Sequence, residues 1–417
     1  MRSNPVDSND FEDLWRLLTP QVLSAVVRRF GHFELAEEAV QEALLAAATQ
    51  WPSDGRPDDP RAWLIAVAAR RITDLLRSEG SRRQREEAVF TLDAADAVTR
   101  VDPVDVPIAD DTLTLLMMCC HPALSAASQV ALTLRAVGGL STREIAQAFL
   151  TPDSTMAQRI SRAKSRIRDA GARFELPAAE EFPARLDALA RVIYLIFNEG
   201  YTASSGESLQ RTELSREAIR LGRLLHAARS ADGEVIGLLA LMLLTDARRP
   251  AREAADGSLI PLADQDRSLW DAATIREGVM MVTQSLRHNV IGPYQIQAAI
   301  AALHSEAVDA AATDWPQILA LYNLLRLAQP GPMVDLNHAV AVAMVHGPPA
   351  GLLALGALRD ERARDHHRFA AVRGHLLEMS GDPDGARSEY LRAADLTVSL
   401  PERRFLTERA ARLTIDP

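Results

Sequence analysis

The sequence predicts an all-α protein. Ala, Leu and Arg dominate its 417 residues and aromatic residues make up 5%, a composition that favours helix over strand. Apolar positions recur at helical spacing along most of the chain, and the breaks between them are rich in Gly, Pro and Asp. The length suggests several domains, and 47% hydrophobic with 24% charged residues is an ordinary globular balance.

The first helical stretch carries Leu14, Leu17, Leu18, Val22, Val26 and Phe30 on one face, and Gly31 ends it. A second is expected from Glu34 to Thr49, with Leu35, Ala39, Ala43 and Ala46 inward and Glu34, Glu37, Glu38 and Glu42 outward. The segment Trp51 to Pro60 holds three prolines and a glycine and reads as a break. A third helix runs from Arg61 to about Glu79, burying Trp63, Leu64, Val67, Ile72, Leu75 and Leu76. Residues 83–110 read as an acidic linker, partly helical near Arg85 to Val89, and 111–174 as helical again.

The net charge of -10 argues against a polyanionic partner, but its distribution argues the other way. Arg61 to Arg85 carries seven arginines against Asp74 and Glu79, and Ser154 to Arg173 carries five arginines and Lys164 against Asp169, each a net +5. Between them Glu86 to Asp111 is a net -7. Two basic patches around an acidic connector suit two contacts with nucleic acid, although helix surfaces are charged in any case. No run of about 18 apolar residues is present, so no membrane span is expected. The polar start is unlike a signal peptide, and the two adjacent cysteines fit a reducing cytoplasm.

The most specific local pattern lies between Ser128 and Ile167. Gln129 to Ala136 is an apolar helix ended by Gly138-Gly139, and Ser141 with Glu144 makes a capping box. Ile145, Ala146 and Phe149 face inward, Thr151 to Thr155 supplies a turn with a second set of cap candidates, and Met156, Ile160 and Ile167 form the next core stripe. Gln158, Arg159, Arg162, Lys164, Arg166 and Arg168 remain outside. A short helix, a turn and a basic amphipathic helix spell a helix-turn-helix, whose second helix enters the major groove; a helical hairpin with a solvated basic face is the plainer alternative.

These residues resemble a known family. Leu140 to Ala146, Ser154 to Met156 and Arg159 to Lys164 are similar to region 4 of extracytoplasmic-function (ECF) sigma factors; Ala36 to Ala43 resembles region 2.2, and Trp63-Leu64 through Asp74 and Arg77 resembles regions 2.3 and 2.4. The resemblance implies sigma region 2 over 10–82, the linker over 83–110, region 4 over 111–175, and a helical extension over 180–417. It implies core RNA polymerase as partner, through the β′ clamp and β flap, with Glu37, Glu38, Gln41 and Glu42 as clamp contacts. It further implies promoter DNA as partner, the minus-10 element held by Arg61, Trp63, Arg70, Arg71 and Arg77, and the minus-35 element by Ser154, Thr155, Gln158, Arg159, Arg162 and Lys164. Arg70 stands where many relatives have Asn, Ala69 where Arg is frequent, and Met156 where Val is usual.

The C-terminal half has a repeat signature. Gly374, Ala386, Tyr390 and Ala393 resemble the packing positions of a tetratricopeptide (TPR) repeat, with Gly381 to Gly385 as the turn; earlier repeats are degenerate, with Ala341 lying 33 residues before Gly374. The arrangement resembles the ECF subgroup with a TPR-like extension, which implies a concave surface for a protein or peptide. Cys119-Cys-His121 lacks metal-ligand spacing and reads as packing, Asn198-Glu199-Gly200 as a helix C-terminus with left-handed Gly, and His366-His367 as a surface pair. No metal, cofactor or catalytic constellation is assigned, so the expected role is that of a non-enzymatic initiation factor with a fused regulatory domain. The competing classes are a helix-turn-helix regulator without the sigma role and an enzyme in the C-terminal half.

Overall fold

The computed structural model describes residues 8–86, 108–254, 257–288, 290–358 and 364–413. Among them no strand occurs, only two isolated bridges, and the chain divides into two compact units, Met1–Val192 and Ile193–Pro417. Most of the acidic linker lies outside the described residues.

The first unit opens with α1 (Ser8–Phe30), α2 (Phe33–Asp54) and α3 (Pro60–Glu86). Helix α1 packs on α2 and α3, and Val22, Leu23, Val26 and Val27 of α1 are buried, as are Ala36, Ala39, Val40 and Ala43 of α2 and Leu64, Ala68 and Ile72 of α3. Leu17, expected on this face, is 51% exposed; the stripe begins at Leu18. Gly31 closes α1 at φ 72°, a left-handed turn that favours glycine.

The expected break at Trp51 starts later. Helix α2 runs through Pro52 to Asp54, and Gly55 ends it by donating to the Trp51 carbonyl at 3.1 Å. Pro52 removes one helical hydrogen bond, but Trp51 is 4% exposed and meets Trp63 edge-on at 5.5 Å, and burying that indole offsets the loss.

Next come α4 (Ile108–Cys119), α5 (Ala126–Ala136), α6 (Thr142–Ala148) and α7 (Asp153–Asp169). Helix α4 packs on α1, and Arg28 bonds Asp111 at 2.9 Å, so the two regions separated by the linker in sequence share one unit.

The second unit starts within α8 (Phe182–Tyr201). Its helices are α9 (Thr212–Ala228), α10 (Gly233–Asp246), α11 (Ala272–His288), α12 (Pro293–Glu306), α13 (Trp315–Ala328), α14 (Pro332–His346), α15 (Pro348–Gly356), α16 (His367–Met379), α17 (Pro383–Leu396) and α18 (Leu400–Arg412). From α9 on, each packs against near neighbours in the chain, as in a solenoid. A Cβ at Gly374 would lie 2.9 Å from the Tyr390 ring, so this glycine lets α16 and α17 approach. Ala386, Tyr390 and Ala393 are buried there, and Gly381 (φ 77°) and Asp382, capping Gly385, make the turn. The start of α18 then meets the segment after α8: Ser399 bridges Gly206, and Leu400 N–H donates to the Gly206 carbonyl at 3.1 Å.

Gly200 is a correction. It lies inside α8 at ordinary φ rather than at a left-handed terminus, and a Cβ there would run into the backbone of Ser215. Its smallness serves a helix crossing.

Candidate functional site

The helix-turn-helix is set by local chemistry. Ser141 Oγ accepts from Glu144 N–H at 3.2 Å and Glu144 Oε2 accepts from Ser141 N–H at 2.7 Å, so the expected capping box forms. The second expected cap does not: Pro152 is the N-cap of α7, without a side-chain bond, and Ser154 and Thr155 lie in the exposed first turn. Met156, Ile160, Ala163 and Ile167 are buried, each larger one contributing about 1.5–3 kcal/mol.

Burying that stripe turns Ser154, Thr155, Gln158 and Arg162 to solvent, with Arg159 half-buried beside them. A cleft of 290 Å³ between α5 and α7 is lined by Ser125, Ser128, Thr155, Gln158, Arg159, Arg162 and Arg166. Hydroxyls, an amide and three guanidinium groups there can donate to phosphates and base edges. Ser125 and Ser128 were missed from sequence, though Ser125 caps α5 through Ser128 N–H and a cap serine before an apolar helix is a readable signal.

The acidic face of α2 is less uniform than the sequence suggests. Glu38 is exposed; Gln41 and Glu42 are half-buried. Arg71 of α3 pairs with Glu42, and this carboxylate raises the Arg71 pKa, so one expected minus-10 residue is held by one expected clamp residue. Arg70 and Arg77 are exposed and Arg61 and Trp63 half-buried along α3.

Glu37 is a second departure. It is 6% exposed, and its Oε1 accepts from Arg135 Nε at 2.8 Å while its Oε2 accepts from Lys164 Nζ at 2.6 Å. Arg168 bonds Glu34 alongside at 2.7 Å. One expected clamp residue and one expected minus-35 residue therefore neutralise each other here.

Elsewhere, Cys119 and Cys120 are fully buried, and burial pushes the Cys120 thiol up to about 12, which disfavours the thiolate a metal needs. No group of three potential metal ligands occurs among the described residues. Glu199 faces Arg211 at 3.7 Å and accepts from Ser204 N–H. The histidine pair is not a free surface pair: His366 caps α16 through Arg368 N–H, and His367 faces Glu402 at 3.2 Å. No helix among the described residues is long and apolar enough to cross a membrane.

Two helical modules, the second a helix-turn-helix with a basic outer face, define the class. Residues 14–82 match sigma-70 region 2 and residues 114–167 match sigma-70 region 4. Residues 185–286 match a family of unknown function (DUF6596). An uncharacterized protein of Rhizobium meliloti is 43% identical over 402 residues, covering 95% of this chain and 94% of that protein. The probable ECF RNA polymerase sigma factor SigI of Mycobacterium tuberculosis is 32% identical over 159 residues, 37% of this chain and 53% of that protein. The ECF RNA polymerase sigma factor SigK of Mycobacterium ulcerans is 31% identical over 152 residues, 36% of this chain and 73% of that protein. No solved structure matches. The chain belongs to the ECF-type sigma factors of the sigma-70 family, and it shares its full-length organisation with the Rhizobium meliloti protein.

Proposed function

We propose that this chain binds core RNA polymerase and directs promoter-specific initiation, and that its C-terminal domain is a TPR-like module required for that activity. The observation that carries the reading is the ordered pair of regions 2 and 4, the latter presenting Thr155, Gln158, Arg159 and Arg162 around one open cleft. Arg61, Trp63, Arg70 and Arg77 would hold the unwound minus-10 strand by charge and stacking. Glu38 and Gln41 would meet the β′ clamp first, because they are the less engaged members of the acidic face. Gly374, Ala386, Tyr390 and Ala393 support the TPR-like reading of the extension and a protein or peptide as its partner.

The test is retention of core polymerase by the full chain, followed by transcription from a cognate promoter. Glu38→Lys should abolish retention without lowering the melting temperature; equal retention by wild type and variant would remove α2 as the clamp contact. Deleting residues 193–417, at the boundary between units, should abolish transcription. Constitutive activity of the truncated form would make the extension a mask instead. Specific duplex binding with no polymerase retention would favour the free regulator.

A further inference from the structure

Helix α11 has apolar residues on two sides, and the fold consumes one of them. Gly278, Val282 and Ser285 are buried on the side that packs on α10 and α12. On the other side Ile275 and Val279 are half-buried and Met280 is 69% exposed, and these three line a groove of 580 Å³. The lining runs from Ile275 to Arg287, roughly 18 Å at about 1.5 Å per residue. Arg276 and Arg287, also on the lining, are eleven positions apart, about three turns, so both guanidinium groups lie along one line of the helix. Glu277 on the same helix is taken by Arg223 at 2.7 Å, whereas no salt bridge reaches Arg276 or Arg287 among the described residues. Asp271, whose charge is felt by Arg276, accepts from the N–H groups of Ala273 and Thr274 at the helix start.

We propose, building on the reading of the extension as an interaction module, that this groove docks an amphipathic helix of a partner protein. That helix carries an apolar stripe with acidic residues about three turns apart. An extended segment would find nothing to pair with, because the backbone of α11 is hydrogen-bonded within the helix; a docking helix brings its own backbone bonds and needs only its apolar stripe. Nucleic acid would need a continuous basic track, and here two cations enclose an apolar centre. The unbranched Met280 side chain adapts its shape to the partner's stripe. Glu306, the last residue of α12, also lines the groove and disfavours a uniformly acidic segment. The partner's acids therefore belong opposite Arg276 and Arg287 rather than along its whole length.

The probe is a fluorescein-labelled helical peptide of about 18 residues, long enough to cover the groove, with leucines every third or fourth position and two glutamates at the spacing of Arg276 and Arg287. Its twin carries lysines in place of those glutamates. Anisotropy titration with the full chain should show saturable binding of the glutamate peptide, the lysine peptide being about tenfold weaker. In the chain bearing both Arg276→Glu and Arg287→Glu the preference should reverse. Met280→Asp should weaken the glutamate peptide about tenfold. All three positions are exposed, so each variant should keep the wild-type melting temperature.

No saturable binding of the glutamate peptide overturns the proposal. So does equal binding of the two peptides to wild type, a preference that the double variant leaves unchanged, or wild-type affinity in Met280→Asp. The titration uses neither polymerase nor promoter. A chain that binds the glutamate peptide but directs no transcription would sink the sigma reading and leave the groove standing.

Discussion

Single residues carry the sharpest consequences. At Gly200 any Cβ meets the Ser215 backbone, so Gly200→Ala must separate α8 from the start of α9 and should cost about 3 kcal/mol, seen as a lower urea midpoint. His304 gives a pH dependence. It meets Trp315 edge-on at 5.3 Å, and burial, with Arg248 and Arg267 nearby, lowers its pKa from 6.5 to about 4. The unfolded chain therefore binds a proton that the folded chain refuses between those values. Stability is full above pH 6.5 and falls as pH drops toward 4, by up to about 3 kcal/mol at about 1.4 per unit. Melts of wild type and His304→Gln at pH 7 and 4.5 check this; the variant should show the shallower loss. Neither role was legible in sequence, and nor was that of Glu37. Its neighbours Glu34, Glu38 and Glu42 make it look like one more solvated acid, whereas its partners lie 98 and 127 positions away. Only the approach of α5 and α7 reveals which acid of the four is buried.

At the scale of elements, signals complete within four or five residues could be read directly. Ser141 with Glu144, Gly31 and the Gly381 to Gly385 turn all behave as their local chemistry requires. Ser141→Ala should lower the stability of the helix-turn-helix by about 1 kcal/mol. It should also weaken DNA binding less than Arg162→Ala does, since the cap holds α6, which packs against α7, without being expected to touch DNA; melting and duplex titration separate the two. Where the sequence misled, a distant partner outweighed local propensity. Proline at 52 argues for a break after Trp51, yet the buried indole against Trp63 keeps the turn helical to Asp54. The serine and threonine at 154 and 155 look like caps, but the helix starts one residue earlier, at Asp153. Helices and their order were visible because periodicity is local. Their ends shifted because burial is not.

At the scale of the whole molecule, each unit binds together parts that are remote in sequence. In the first, α4 packs on α1 and Arg28 pairs with Asp111, so the helix leading into region 4 is anchored on region 2. In the second, the repeat signature at residues 374–393 announces stacked helices, but nothing local announces that the stack returns to its start. An open solenoid loses stability only near a deleted end, since each repeat feels its neighbours alone. Here Leu400 N–H donates to the Gly206 carbonyl, and the Ala203–Arg211 segment is further held by Ala203 N–H donating to the Leu209 carbonyl and by Arg211 N–H donating to the Gly200 carbonyl. Removing residues 398–417 should therefore expose two places at once. Amide exchange should accelerate in α16 and α17, which lose the packing of Leu406 and Ala410 against Ala394 and Tyr390. It should accelerate equally in residues 203–211, nearly two hundred positions earlier. Exchange confined to the C-terminal helices would mean that the Gly206–Leu400 contact carries no stability and that the unit behaves as an open stack.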